Sequence, residues 1–142
     1  MNTPKPPAPP VSLLETILYS TDLAAAHAFY AGVLGLKAMS DKPSTLCAGF
    51  RIGPGQVLLV FNPEISGQPG RDVPSHGVTG PGHLALRVPP EDLDAWAAHL
   101  ESVGVGVEQR IEWDGERGRS VYCRDPAGNS VELIDTDIWP EG

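Results

Sequence analysis

The sequence predicts an α+β fold made of two similar halves, on three observations. The first is a repeat. ETILYSTDLAAAHAFYAGVLGL around Glu15 and HLALRVPPEDLDAWAAHLESVGVGV around His83 each read as an alternating strand, a helix with an acidic start and a Leu-Gly-Leu or Val-Gly-Val exit. The second is that each copy's strand opens on a potential metal ligand, Glu15 or His83. The third is another such residue, Glu132, in the last strand of the second copy, NSVELI. Packing alone gives no reason for a duplication to carry these residues at matched places.

The elements follow in order. Residues 1–10, MNTPKPPAPP, form a proline-rich arm expected to be disordered. Val11 to Tyr19 alternate as a strand that puts Leu13, Glu15, Ile17 and Tyr19 on one face. Thr21 or Asp22 is placed to cap a helix over Leu23 to Leu34, which Gly35 ends. Two strand-like stretches, Ser44 to Ile52 and Gln56 to Phe61, are joined by the turn GPG. These elements make module one, about residues 11–61.

Asn62 to Gly82 hold five glycines and four prolines, which leaves no periodicity and marks a long functional or mobile loop. Module two, about residues 83–135, opens with a strand from His83 to Val88. Pro90-Glu91-Asp92 starts a helix running to about Val103, and Gly104 ends it. Strands are then predicted over Val105 to Trp113, Ser120 to Arg124 and Ser130 to Asp135, with turns at DGERG and DPAGN. Each half reads β-α-β-β-β. Residues 11–142 are therefore expected to be a single domain, with helices on one side of curved antiparallel sheet. A ferredoxin-like β-α-β sandwich fits the same periodicity.

Composition narrows the function. A chain of 142 residues with 41% hydrophobic and 20% charged residues can bury a sizeable core. A net charge of −8 without any basic run argues against nucleic acid. No stretch approaches the ~18 apolar residues of a membrane span, and the N-terminal arm lacks a signal peptide's apolar segment. Cys47 and Cys123 match no disulfide or zinc pattern and read as reduced thiols of a cytoplasmic protein.

Glu15, His83 and Glu132 carry the chemistry. Glu15 and His83 are equivalent under the repeat, and strands related by a pseudo-two-fold axis are expected to bring them face to face. Two carboxylates and an imidazole leave open positions on a six-coordinate ion and suit Mn²⁺, Fe²⁺, Ni²⁺, Zn²⁺ or Mg²⁺. Such an ion takes two adjacent oxygens of a small-molecule substrate and stabilises the negative charge that develops there.

LLETILYSTDLAAAHAFYAGVLGL, GPGHLALRV and SVYCRDPAGNSVELID resemble the vicinal oxygen chelate superfamily over about Leu13 to Asp135. That group includes glyoxalase I, fosfomycin-resistance thiol transferases, bleomycin-resistance proteins and extradiol dioxygenases. The resemblance implies two paired βαβββ modules forming a cupped sheet around a metal cavity, and a homodimer whose chains often share a site. It places Glu15, His83 and Glu132 on the family's ligand positions, with Glu132 also able to move a proton. It implies a lyase, dioxygenase or thiol transferase, or else a non-catalytic antibiotic-type binding or resistance protein. Aligning GQVLLVF with GNSVELI puts Leu59 where glyoxalase I has a fourth ligand, a Glu. IDTDIWPEG lacks the cations that a phosphonate would want.

Secondary candidates are Tyr122, sharing a face with Ser120 and Arg124 and able to bind substrate or assist catalysis, and Arg119, a possible clamp for an anionic substrate. His76, in PSHGVTG, is a candidate general acid or base. His27 and His99 are expected at the surface of helices, and Trp139 over a cavity or a subunit contact.

Overall fold

Two four-stranded sheets of identical order form the computed structural model, which describes residues 4–114, 118–136 and 139. In module one, β1 (Glu15–Tyr19), β2 (Lys37–Ala38), β3 (Cys47–Arg51) and β4 (Val57–Phe61) are ordered β1-β4-β3-β2. In module two, β5 (His83–Arg87), β6 (Gln109–Glu112), β7 (Arg119–Arg124) and β8 (Ser130–Ile134) are ordered β5-β8-β7-β6. This is the paired βαβββ architecture, and not one ferredoxin-like sandwich. The sheets are mixed rather than antiparallel, because β1 runs parallel to β4 and β5 runs parallel to β8. A helical crossover carries the chain back before the last strand of each module, which makes parallel pairing possible.

Helices cover one face of each sheet. Asp22 caps α1 (Leu23–His27) by accepting a 2.9 Å hydrogen bond from the Ala25 amide. The helix continues as a π-turn over Ala28–Val33, closed by Leu34 N–H to the Phe29 carbonyl. In module two a 3₁₀ turn at Pro90–Asp92 leads into α3 (Leu93–Ser102). Gly35 and Gly104 follow the two helices at φ +72° and +81°, where side chains are disfavoured. The segment between modules contains α2 (Pro63–Ser66), which its glycines and prolines hid from the periodicity. The strand predicted from Val11 begins only at Glu15, and residues 4–14 carry no regular element. Three residues of the DGERG turn, 115–117, lie outside the described residues.

Alternation sorts each strand. Ala48, Phe50, Leu58 and Val60 of module one and Val121, Cys123, Val131 and Leu133 of module two are buried on the helix side. They join Tyr30, Leu93, Ala97 and Leu100 in one core. The other face of each sheet stays open. His27 and His99 are half-buried rather than superficial: His27 packs on Phe50, and His99 donates through Nε2 to the Val33 carbonyl at 2.9 Å, tying the two helices together. Cys123 is buried and Cys47 half-buried, both free thiols. Burial, with Asp125 beside it, pushes the Cys123 thiol up to about 11. No described helix is long and apolar enough to cross a membrane.

A buried polar knot joins the modules. The Tyr30 hydroxyl of the π-turn donates to Asp125 Oδ2 at 2.8 Å. Asp125 also accepts from the amides of Ala127 and Asn129 and from the Asn129 side chain. Asn129 then reaches β1, donating to the Tyr19 carbonyl at 3.2 Å and accepting from the Gly82 amide at 2.7 Å. The DPAGN turn therefore fixes the end of β1 against the start of β5.

Candidate metal centre

The open face of module two carries the polar cluster. Tyr122 pairs with Glu132 across β7 and β8, and His83 pairs with Ser130 across β5 and β8. Period-two alternation thus places Ser120, Tyr122, Glu132 and His83 on one surface. Glu132 is 6% exposed. A buried carboxylate is costly unless its oxygens are bonded. Here Oε2 accepts from the Ser120 hydroxyl at 2.6 Å, and Oε1 lies 3.3 Å from His83 Nε2. The Trp113 indole N–H donates in turn to Ser120 Oγ at 2.8 Å. That chain leaves the Ser120 hydroxyl free to donate only to the carboxylate and holds the carboxylate in one orientation.

His83 is oriented from behind. Its Nδ1 lies 3.2 Å from the Ser130 carbonyl and 3.2 Å from Ser130 Oγ. With the proton on Nδ1 the ring donates to the Ser130 carbonyl and Nε2 turns its lone pair toward Glu132; with the proton on Nε2 the Ser130 hydroxyl donates to Nδ1 and the ring donates to Glu132. In the first arrangement two acceptors face each other at 3.3 Å, a pair that a metal ion between them would satisfy. Two ligands at right angles on a divalent ion, each about 2.1 Å from it, would be about 3.0 Å apart, close to this separation. Ordered partners behind a histidine and a carboxylate are the usual support of metal ligands. These two residues fit a metal ion.

Tyr122 stacks on His83 at a centroid distance of 6.3 Å and an interplanar angle of 19°. Burial, followed by the Glu132 carboxylate alongside, pushes its hydroxyl up, so it remains a proton donor.

The other expected residues lie elsewhere. Glu15 is exposed at the start of β1. It shares a groove with Ala85 and Arg87 near the far end of β5, whereas His83 lies at the Tyr19 end of β1. A five-residue strand spans on the order of 13 Å, so Glu15 and His83 do not meet within one chain. Among the described residues no three His, Cys, Asp or Glu side chains come together as a metal centre. Arg119 lies on the helix side of β7, opposite Tyr122, where it donates to Asp94 at 3.0 Å and approaches Asp135 at 3.7 Å. His76, in the segment between the modules, is bonded to Tyr19 of module one. Trp139 is exposed. Ser120 and Trp113 were not singled out from sequence. The shared face of Ser120, Tyr122 and Arg124 was the available signal for Ser120, and nothing pointed to Trp113.

The profile of the Glyoxalase/Bleomycin resistance protein/Dioxygenase superfamily matches residues 12–133. The chain belongs to this superfamily. It is 29% identical to biphenyl-2,3-diol 1,2-dioxygenase 3 of Rhodococcus globerulus over 130 residues, covering 91% of this chain and 66% of that protein. Less than two thirds of that dioxygenase's length is thus represented. It is 28% identical to the metallothiol transferase FosB of Bacillus licheniformis over 129 residues, covering 89% of this chain and 77% of the transferase. The crystal structure of a lactoylglutathione lyase from Agrobacterium tumefaciens superposes with a TM-score of 0.85 at 36% identity, covering 94% of this chain and all of that one. Enzymes are therefore prominent among its relatives, and their reactions differ.

Proposed function

We propose that the chain is a metal-dependent enzyme in which His83 and Glu132 hold one divalent ion, and that Glu15 of a second copy supplies the third ligand. The observation that carries this reading is the facing of His83 Nε2 and Glu132 Oε1 at 3.3 Å, with both side chains held from behind. Glu15 lies at the wrong end of β1 to reach His83 in its own chain. Around it, Leu13 and Leu14 are 68% and 64% exposed, an apolar edge that a second copy would cover.

When bound, the ion supplies a Lewis acid for two adjacent oxygens of a small substrate. The chain's own residues do the rest. Ser130 orients His83, Trp113 and Ser120 aim the carboxylate, and Tyr122 keeps a proton to donate to a substrate oxygen beside Glu132. A role for Glu132 in proton transfer belongs to the same reading. Arg119 is tied to Asp94 and Asp135 and offers no clamp on this face.

The reaction is of the lyase, dioxygenase or thiol-transfer kind that the relatives represent. Leu59 bears no ligating atom at the position equivalent to Glu132, so the ion is held by three protein ligands rather than four. One observation favours a second reading, a small-molecule binding protein without turnover: the open face of module one is lined by Ile17, Leu59 and Phe61. Elemental analysis of protein purified without chelator separates the two. The enzyme reading expects about one ion per chain in the native protein and none in Glu132→Ala. No ion in either protein, even after reconstitution, overturns it.

A further inference from the structure

Module one carries a polar pair of its own. Tyr19 and Phe61 are in register at the end of its open face. His76 comes in from the segment between the modules, standing edge-on to Phe61 at 4.7 Å between centroids, and Tyr19 Oη lies 2.6 Å from its Nδ1. The backbone of His76 is fastened on both sides by Ser66, which is fully buried. The His76 amide donates to the Ser66 carbonyl at 3.0 Å, and the Ser66 hydroxyl donates to the His76 carbonyl at 2.7 Å. Arg71 braces the same Ser66 carbonyl at 3.0 Å. In a stretch of glycine and proline, one side chain has been given a fixed position.

That side chain borders an open, shallow surface depression lined by Ser75, Gly77, Val78 and Thr79, with no charged residue in its lining. Among the described residues His76 Nε2 has no partner, and neither do the amides of Gly77, Val78 and Thr79. If the phenol donates to Nδ1, the proton of the neutral ring sits on Nε2. The depression then offers a fixed N–H and a threonine hydroxyl, but no cation among its lining residues. Such a lining suits a neutral or singly charged acceptor and disfavours a phosphate or phosphonate, which would want Arg or Lys.

We propose that Tyr19 and His76 form a second ligand site, in which His76 Nε2–H binds an acceptor oxygen of a small carboxylate or carbonyl compound and Tyr19 positions the ring. The site requires neither His83 nor Glu132, so it stands or falls separately from the metal centre.

Long-range ¹H–¹⁵N spectra of the histidine rings in the full-length protein at pH 8 test it, with His76 assigned by its disappearance in His76→Gln. Sodium acetate serves as the carboxylate probe, acetamide as the neutral carbonyl probe, and sodium chloride at matched ionic strength as the control. The expected result is an Nε2–H tautomer and a saturable shift of the His76 signals by acetate or acetamide beyond that of chloride. Whichever probe shifts them identifies the ligand chemistry. Tyr19→Phe is expected to lose the fixed tautomer and bind about tenfold more weakly, the worth of one hydrogen bond. An Nδ1–H tautomer in the native protein, shifts no larger than those of chloride, or unchanged binding in Tyr19→Phe would each overturn the proposal. The tautomer is read from the native chain, so a poorly folded variant does not blunt the test.

Discussion

The two modules share one backbone plan and differ in what they show on their open faces. Register makes the comparison residue by residue. Module two presents His83, Ser130, Glu132, Ser120 and Tyr122, and the equivalent positions of module one hold Glu15, Val57, Leu59, Cys47 and Gly49. Only the first position keeps a ligating side chain in both. A Cβ on Gly49 would come within 2.8 Å of Met39 Sδ, so the place where module two holds Tyr122 is filled by the neighbouring methionine. The buried helix-facing strand residues, by contrast, are apolar in both modules. Packing therefore sustains the duplicated scaffold, while the middle of the open face holds a hydrogen-bonded carboxylate in module two and apolar side chains in module one.

The comparison can be broken most severely where the modules are knotted together. Asp125→Ala strands the Tyr30 hydroxyl and the groups around the DPAGN turn, and is expected to cost about 3 kcal/mol in urea unfolding. Trp113→Phe removes the donor behind Ser120. It is expected to lower metal affinity by about 10–100-fold with the fold intact, measured by competition with a chromophoric chelator.

Tyr30→Phe acts on the same knot more gently, at about 1 kcal/mol near pH 7. Burial, followed by Asp125, holds the Tyr30 phenol far above its ordinary range. The native state keeps a proton that the unfolded chain releases above about pH 10. This group's contribution is therefore complete below that pH and falls as the pH rises further. Urea melts between pH 8 and 11 should show a shallower alkaline decline in the variant than in the native protein. Arg119→Ala, on the helix face, is expected to change stability by less than about 1 kcal/mol and to leave metal content unchanged.

Much of this was legible in the residues themselves. Alternation in ETILY, HLALR and SVELI marked the strands, and the Asp22 cap and Gly35 stop bracketed the first helix. The two-residue β2 has no period to read, and nothing in a single strand's pattern says whether it pairs parallel or antiparallel. His83 and Glu132 were named from the repeat. Their closeness depends on β5 pairing with β8, and the distance of Glu15 depends on how the modules lie against each other, which local pattern does not encode. The side of Arg119 was legible by counting, since it lies three positions before Tyr122 and an odd interval changes face. The partnership of Tyr19 with His76 joins residues 57 apart through an aperiodic segment, and no local signal announces it.

The central claim, a metal centre completed by Glu15 of a second copy, is tested most directly by mixing two variants. Glu15→Ala and Glu132→Ala are each expected to bind no ion alone. Unfolded together and refolded, they should form mixed dimers with one intact site, combining Glu15 from one chain with His83 and Glu132 from the other, and metal content should reappear. Metal bound by Glu15→Ala alone as well as by the native protein, or no recovery in a mixture shown to contain mixed dimers, would contradict the account.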